Sequence, residues 1–276
     1  MSIRLIAVDL DGTLLSSDSA TVHERNIRAL RRAAEKGAKI VLASGRSMVM
    51  MEDAAEQLGC VSYIISSLGG AVTDYATRKM LAETGIDPDK RRAILEVLRP
   101  FKPLIEVYCD NRIYAERAII TAHPPASDFD FLRAKYDDVV EDLEAAIGER
   151  MTEKLDVDFI PDDETMELIR TRVEALGDLC VLAYPGNGNI EISHIDATKG
   201  HALQFLCGYL GIDAEEVLAL GDSDNDLDMF EWAGCSVAMA KSSPLARQAA
   251  DMVTGSNNDG GVGQAVEELM DRIGGQ

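Results

Sequence analysis

Positive charge is scarce in this sequence: 27 Lys and Arg stand against 48 Asp and Glu, a formal net charge of −21 over 276 residues. Phosphate backbones are held by clustered Lys and Arg, so this balance argues against a nucleic-acid partner. An anionic membrane leaflet would repel the chain for the same reason. Nowhere do about 18 apolar residues run uninterrupted, which excludes a spanning helix. Cysteine is sparse as well. Cys60, Cys109, Cys180, Cys207 and Cys235 are odd in number, widely spaced and without a metal-knuckle pair, so they read as reduced thiols. His23, His123, His194 and His201 lack the i, i+4 spacing of a helical metal site. The stretch from Met1 to Asp9 is too short in apolar residues for a secretory signal, which predicts a cytoplasmic location. There is no internal repeat.

What remains is an ordinary globular composition, 46% hydrophobic and 27% charged, enough to bury a sizeable core. Arg4 to Leu10 reads as a buried parallel strand that runs into Asp9 and Gly12. Thr21 to Lys36 has helical spacing and stops at Gly37. Ala38 to Ala43 and Val61 to Ser66 repeat the strand pattern, with a helix predicted from Ser44-Gly45-Arg46 to about Leu58. Met48, Met50 and Met51 on that helix read as core packing. Strands alternating with helices predict a parallel sheet covered on both faces.

After about Glu83 the pattern changes. Residues 104 to 116 form a predicted hairpin about Asp110-Asn111, in a stretch punctuated by Pro100, Pro103, Pro124 and Pro125. From Asp137 to Glu167, thirteen acidic residues face only Arg150 and Lys154, which predicts a solvated acidic surface. Strand, helix, strand, strand follow up to Ser193. From Lys199 the first pattern returns: a helix to about Leu210, a strand Val217 to Leu220, a helix beginning near Asp226, with Trp232 expected to pack under that last segment, and a strand Val237 to Met239. Two α/β blocks, about 1–82 and 192–276, thus bracket an α+β insertion over 83–191.

Four segments fall at the C-terminal ends of predicted strands or at the following helix starts, where ligands sit in open α/β sheets. Asp9-Leu10-Asp11-Gly12-Thr13-Leu14 places two carboxylates two residues apart. They could divide the work of a nucleophile and a general acid, or they could form a turn. Gly221-Asp222-Ser223-Asp224-Asn225-Asp226 carries more oxygen donors than a helix cap requires, which suits a hard cation. It is not an EF-hand loop, because Leu227 and Ala233 stand where Gly and Glu are needed. Ser44-Gly45-Arg46 offers a hydroxyl and amides to a phosphoryl oxygen, or else a simple N-cap. Lys199-Gly200 supplies one cation, ordinary by itself but a charge partner if set among carboxylates.

In order and position, these four segments resemble the motifs of the haloacid dehalogenase superfamily. The insertion between the second and third is similar to the cap of the C2-capped, Cof-type phosphatases. The resemblance covers the whole chain and implies a Rossmann-like, doubly wound parallel core with an inserted α+β cap domain. It implies a Mg²⁺-dependent phosphatase acting on a small phosphorylated metabolite such as a sugar phosphate. Asp9 would be the nucleophile, forming an aspartyl-phosphate, and Asp11 the acid and then the base. Mg²⁺ would be held by Asp9, the Asp11 carbonyl, Asp222 and Asp226. Ser44, Gly45, Arg46, Lys199 and Asn225 would hold the phosphoryl oxygens. A metal and a lysine would also reverse the field locally in an otherwise acidic protein. One departure is that Gly69 in Ser67-Leu68-Gly69-Gly70-Ala71 stands where the family usually has Asn. A phosphotransferase or phosphomutase would use the same residues on another acceptor. A non-catalytic phospho-receiver would need no insertion. Arg112, Arg117, Tyr184 and Asn187 are candidates to contact the far end of a substrate.

Overall fold

The computed structural model describes residues 2–122, 138–184 and 187–274. His123, Pro124, Pro125 and Asp137 lie outside the described residues. The strands, in chain order, are β1 (Leu5–Asp9), β2 (Lys39–Ala43), β3 (Val61–Ser66), β4 (Ala71–Asp74), β5 (Met80–Glu83), β6 (Leu104–Cys109), β7 (Arg112–Glu116), β8 (Asp138–Val140), β9 (Lys154–Asp158), β10 (Leu179–Tyr184), β11 (Asn189–His194), β12 (Val217–Gly221), β13 (Cys235–Ala238) and β14 (Met252–Val253). They build two sheets in two compact units, Met1–Ala82 with Thr198–Gln276, and Glu83–Ala197.

The first sheet has the order β14-β13-β12-β1-β2-β3-β4-β5. β12, β13 and β14 lie to one side of β1 and β2 and β3 to the other, all parallel, while β4 returns antiparallel to β3. The order therefore reverses between β1 and β12, the place where a doubly wound sheet binds its ligand. All five residues of β1 are buried, and their alternation feeds two cores. Ile6 and Val8 join Ile40, Leu42, Leu218 and Leu220 on one face, and Leu5 and Ala7 join Val41, Ala43, Val217 and Ala219 on the other. Met48 and Met51 pack in the first of these cores, and Trp232 borders the second.

The second unit holds a mixed sheet of order β10-β11-β9-β6-β7-β8. The predicted hairpin forms as β6 and β7, antiparallel about Asp110 and Asn111, both in the left-handed region. β11 pairs with β9 and β10, so residues 192–194 belong to this sheet and the second unit runs on to Ala197.

Two local readings of the sequence need correction. The helix expected from Ser44 starts at Met48, with Ser47 as its flanking residue. The Ser44 and Arg46 carbonyls accept the Leu68 and Ser67 amides, which commits them to the neighbouring loop rather than to a helical ladder. The acidic stretch is not all solvated surface. β9 alternates, Leu155 and Val157 in the core and Lys154 on the other face, where its buried ammonium lies 2.9 Å from Asp156 and 4.6 Å from the Tyr108 ring centre. Glu153 is fully buried and accepts the Asn111 amide.

Candidate active site

Parallel pairing brings three loops to one edge of the first sheet. Asp9, the last residue of β1, pairs with Ala43, so Ser44 follows immediately on β2. On the other side Val8 pairs with Leu220, which brings Gly221 and Asp222 alongside. The chain leaves β1 through a tight turn over Leu10–Leu14 in which Gly12 takes φ +76°. A β-carbon on Gly12 would lie 2.3 Å from Asp222 Oδ2, so glycine is needed both for the turn and for the close approach. Thr13 Oγ1 donates to Asp222 Oδ1 at 3.1 Å.

Lys199 opens the helix Lys199–Leu210 and is 1% exposed. Its ammonium donates to Asp9 Oδ1 at 2.7 Å, Asp226 Oδ1 at 2.7 Å and Asn225 Oδ1 at 2.8 Å, using all three of its hydrogens. Gly200 lets that helix close on its neighbour: its amide donates to Asp228 Oδ2 at 2.9 Å, and a β-carbon there would lie 2.7 Å from Asp228. Asp226, fully buried, accepts the Asp222 and Ser223 amides on Oδ2 at 2.9 and 3.0 Å. With the Ser223 side chain this forms a capping box over Ser223–Asp226.

Asp9, Asp222 and Asp226 each present a carboxylate oxygen, all within 4.8 Å of one another. Burial pushes the Asp9 carboxyl up to about 8. Lys199 opposes that shift, and the charges on Asp226 and Asp222 add to it. Asp222 is also raised, chiefly by burial. Burial works against the Lys199 ammonium, yet Asp226 and Asp9 overcome it and raise its pKa. Three carboxylates lie together and only one ammonium, on Asp9 and Asp226, stands against them, so negative charge is in excess here. An all-oxygen donor set with that excess fits a hard divalent cation such as Mg²⁺.

The remaining residues singled out in the sequence fall differently. Asp11 is not in the carboxylate group; its side chain is half exposed and forms an ion pair with Arg46. Ser44 is buried, and its hydroxyl accepts the Arg46 amide at 3.2 Å, leaving its hydrogen for another acceptor. Gly45 backs onto Leu68, whose side chain would be 3.2 Å from an added β-carbon. Asn225 Oδ1 also receives the Ser223 hydroxyl, which leaves its amino hydrogens available to a ligand. Gly69, where Asn was expected, has φ +103°, and a β-carbon would lie 2.1 Å from the Thr198 carbonyl oxygen, so this backbone leaves no room for a side chain. Arg112 and Arg117 are engaged with Asp138 and Glu141. Tyr184 and Asn187 are exposed. Thr13, Ser223 and Asp228 were not singled out for a role. Ser-x-x-Asp at 223–226 was a legible capping signal, whereas nothing local marks Asp228 as the partner of Gly200.

Comparison with known proteins shows the family of the chain. The family model described as haloacid dehalogenase-like hydrolase matches residues 6–266. Phosphatase YwpJ of Bacillus subtilis (strain 168) is 31% identical over 288 residues, covering 97% of this chain and 100% of that one. The 5-amino-6-(5-phospho-D-ribitylamino)uracil phosphatase YwtE of the same organism is 28% identical, covering 97% and 98%. A crystal structure of a haloacid dehalogenase-like hydrolase from Bacteroides thetaiotaomicron aligns with a TM-score of 0.85 at 27% identity, covering 97% of this chain and 99% of that one.

Proposed function

The chain belongs to the haloacid dehalogenase-like hydrolases, in their Cof-type branch with a Rossmann-like core and inserted cap, and we propose that it is a Mg²⁺-dependent phosphatase of a small phosphorylated metabolite. In this reading Met1–Ala82 and Thr198–Gln276 form the catalytic core and Glu83–Ala197 the cap. The observation that carries it is the convergence of the Asp9, Asp222 and Asp226 carboxylates at the switch point of a parallel sheet, with the buried Lys199 ammonium on Asp9 and Asp226.

Asp9, Asp222, Asp226 and the Asp11 carbonyl would hold the cation. When bound, it supplies positive charge that offsets repulsion between a carboxylate and an anionic phosphate. Asp9 attacks phosphorus, the bond to the ester oxygen breaks, and Asp11 gives that oxygen its proton. Water, deprotonated by Asp11, then attacks the aspartyl-phosphate; the bond to Asp9 breaks and inorganic phosphate leaves. Lys199 orients Asp9 and opposes the burial that favours its protonated form, and the cation would add to that opposition. The Ser44 hydroxyl, the Asn225 amino group and the Gly45 amide would bind the phosphoryl oxygens, the Arg46 amide being already given to Ser44 Oγ. Relatives that dephosphorylate a phosphoribityl compound support a phosphorylated sugar or polyol as the substrate class. Five free cysteines support a reducing, cytoplasmic compartment, and among the described residues no helix is long and apolar enough to cross a membrane.

The test is phosphate release from a panel of sugar, polyol and nucleotide monophosphates with Mg²⁺ or with chelator, combined with mass analysis of quenched enzyme. Metal-dependent release with an 80 Da adduct that resists hydroxylamine would not fit; an adduct on Asp9 that survives the acid quench and is labile to hydroxylamine is the expected result. No release from any monoester, or an adduct elsewhere, would overturn the reading.

A further inference from the structure

Asp11 and Arg46 form a fork apart from the carboxylate group. Arg46 Nε donates to Asp11 Oδ2 at 2.8 Å, Nη2 donates to Oδ1, and Nη2 also reaches the Ser19 carbonyl at 3.3 Å. The two side chains are unequally placed: Arg46 is 14% exposed and Asp11 50%. An ordinary surface ion pair contributes within about 1 kcal/mol and does not require a sheltered guanidinium. Arg46 is pinned through its backbone too, its amide on Ser44 Oγ and its carbonyl on the Ser67 amide. Among the described residues the Asp11 carboxylate has no other hydrogen-bond partner, so its direction is set by Arg46.

We propose that Arg46 is a positioning residue for proton transfer by Asp11, through its guanidinium rather than its backbone. A half-exposed aspartate otherwise samples several rotamers, and only those within hydrogen-bond reach of the ester oxygen can pass the proton. The fork occupies one lone-pair direction on each oxygen and leaves the other for the reacting group. This one side chain ties both Asp11 and Ser19 to the segment Ser44–Arg46. The inference rests on the proposed phosphatase reaction, in which Asp11 serves the leaving group.

The experiment is Arg46→Lys, which keeps the charge and loses the fork. Release of the leaving group in a single turnover is measured with an alkyl phosphate, which needs the proton, and with p-nitrophenyl phosphate, which does not. With the alkyl substrate the rate should fall roughly 10- to 100-fold while KM changes less than about threefold, as expected for a misplaced catalytic group. With the aryl substrate the rate should stay within about threefold, and adding Arg46→Lys to Asp11→Asn should cause no further alkyl-specific loss. Equal losses on both substrates, a rise in KM alone, or additive losses in the double variant would overturn the positioning role. Asp11→Asn separates the two ideas. If it shows the alkyl-specific loss and Arg46→Lys does not, the positioning role alone fails. If Asp11→Asn shows no such difference, both fail.

Discussion

A single methyl group on Gly12 would reach Asp222. With φ +76° and a β-carbon 2.3 Å from Asp222 Oδ2, Gly12→Ala strains the turn and displaces a proposed cation ligand at once. We expect a loss of about 1–3 kcal/mol in urea unfolding. Mg²⁺ affinity should also weaken, which titration calorimetry would read; an unchanged affinity would mean that Asp222 does not hold the ion. Asp9→Asn removes charge with little change in volume. Turnover should fall roughly a hundredfold or more with far-UV circular dichroism unchanged, and retained activity would remove Asp9 as nucleophile. The chemistry at these positions was legible because aspartates and glycine recur at short, characteristic spacing. Thr13 and Asp228 were less so, since their roles depend on partners far along the chain.

The segment Gly221–Asp226 works as one element, with Asp226 satisfying two backbone amides and the Lys199 ammonium together. Asp226→Ala leaves a buried cation short of a partner and opens the loop. A loss of about 3 kcal/mol in urea unfolding is expected, as for breaking a buried pair; a change under about 0.5 kcal/mol, the size of an ordinary surface substitution, would show that the loop holds its shape without this residue. The strands were readable from their apolar runs, β1 above all. The start of the helix Met48–Leu58 was not. Ser44 has the composition of a helix cap, but the Ser67–Leu68 backbone takes the Ser44 and Arg46 carbonyls, and that competition is tertiary. Lys154 is the same lesson in reverse: it sits in a charged stretch, yet its strand turns it into a buried cluster.

For the whole molecule, the buried acids govern stability against pH. Asp9 is raised to about 8 in the folded protein, so between the unfolded value near 3.8 and about 8 the folded state holds the extra proton. Stability from this group is therefore present at low pH and is lost as pH rises through that window, by at most about 1.4 kcal/mol per pH unit for one proton. Asp222, Asp158 and Glu191 are raised in the same direction. Asp18, Asp74, Asp162 and Glu216 are lowered and titrate at more acidic pH. Metal-free protein should melt at a lower temperature at pH 8.5 than at pH 5.5. Millimolar Mg²⁺ should raise the midpoint mainly at pH 8.5, where the carboxylates are free of protons. Midpoints that rise with pH without metal, or Mg²⁺ effects equal at both, would contradict this balance.

The amino-acid order alone determined the parallel α/β plan, the interruption after residue 82 and the four polar segments, because hydrophobic period and turn chemistry are local properties. Which of those polar groups meet was decided by the fold. Register along β1 and β12 brings Asp9 beside Asp222 and Asp226, and the start of the helix Lys199–Leu210 sets its ammonium on Asp9 and Asp226, while the Arg46 guanidinium draws Asp11 into a separate pair. Distance and burial between residues some two hundred positions apart set these charges, and no local pattern encodes either.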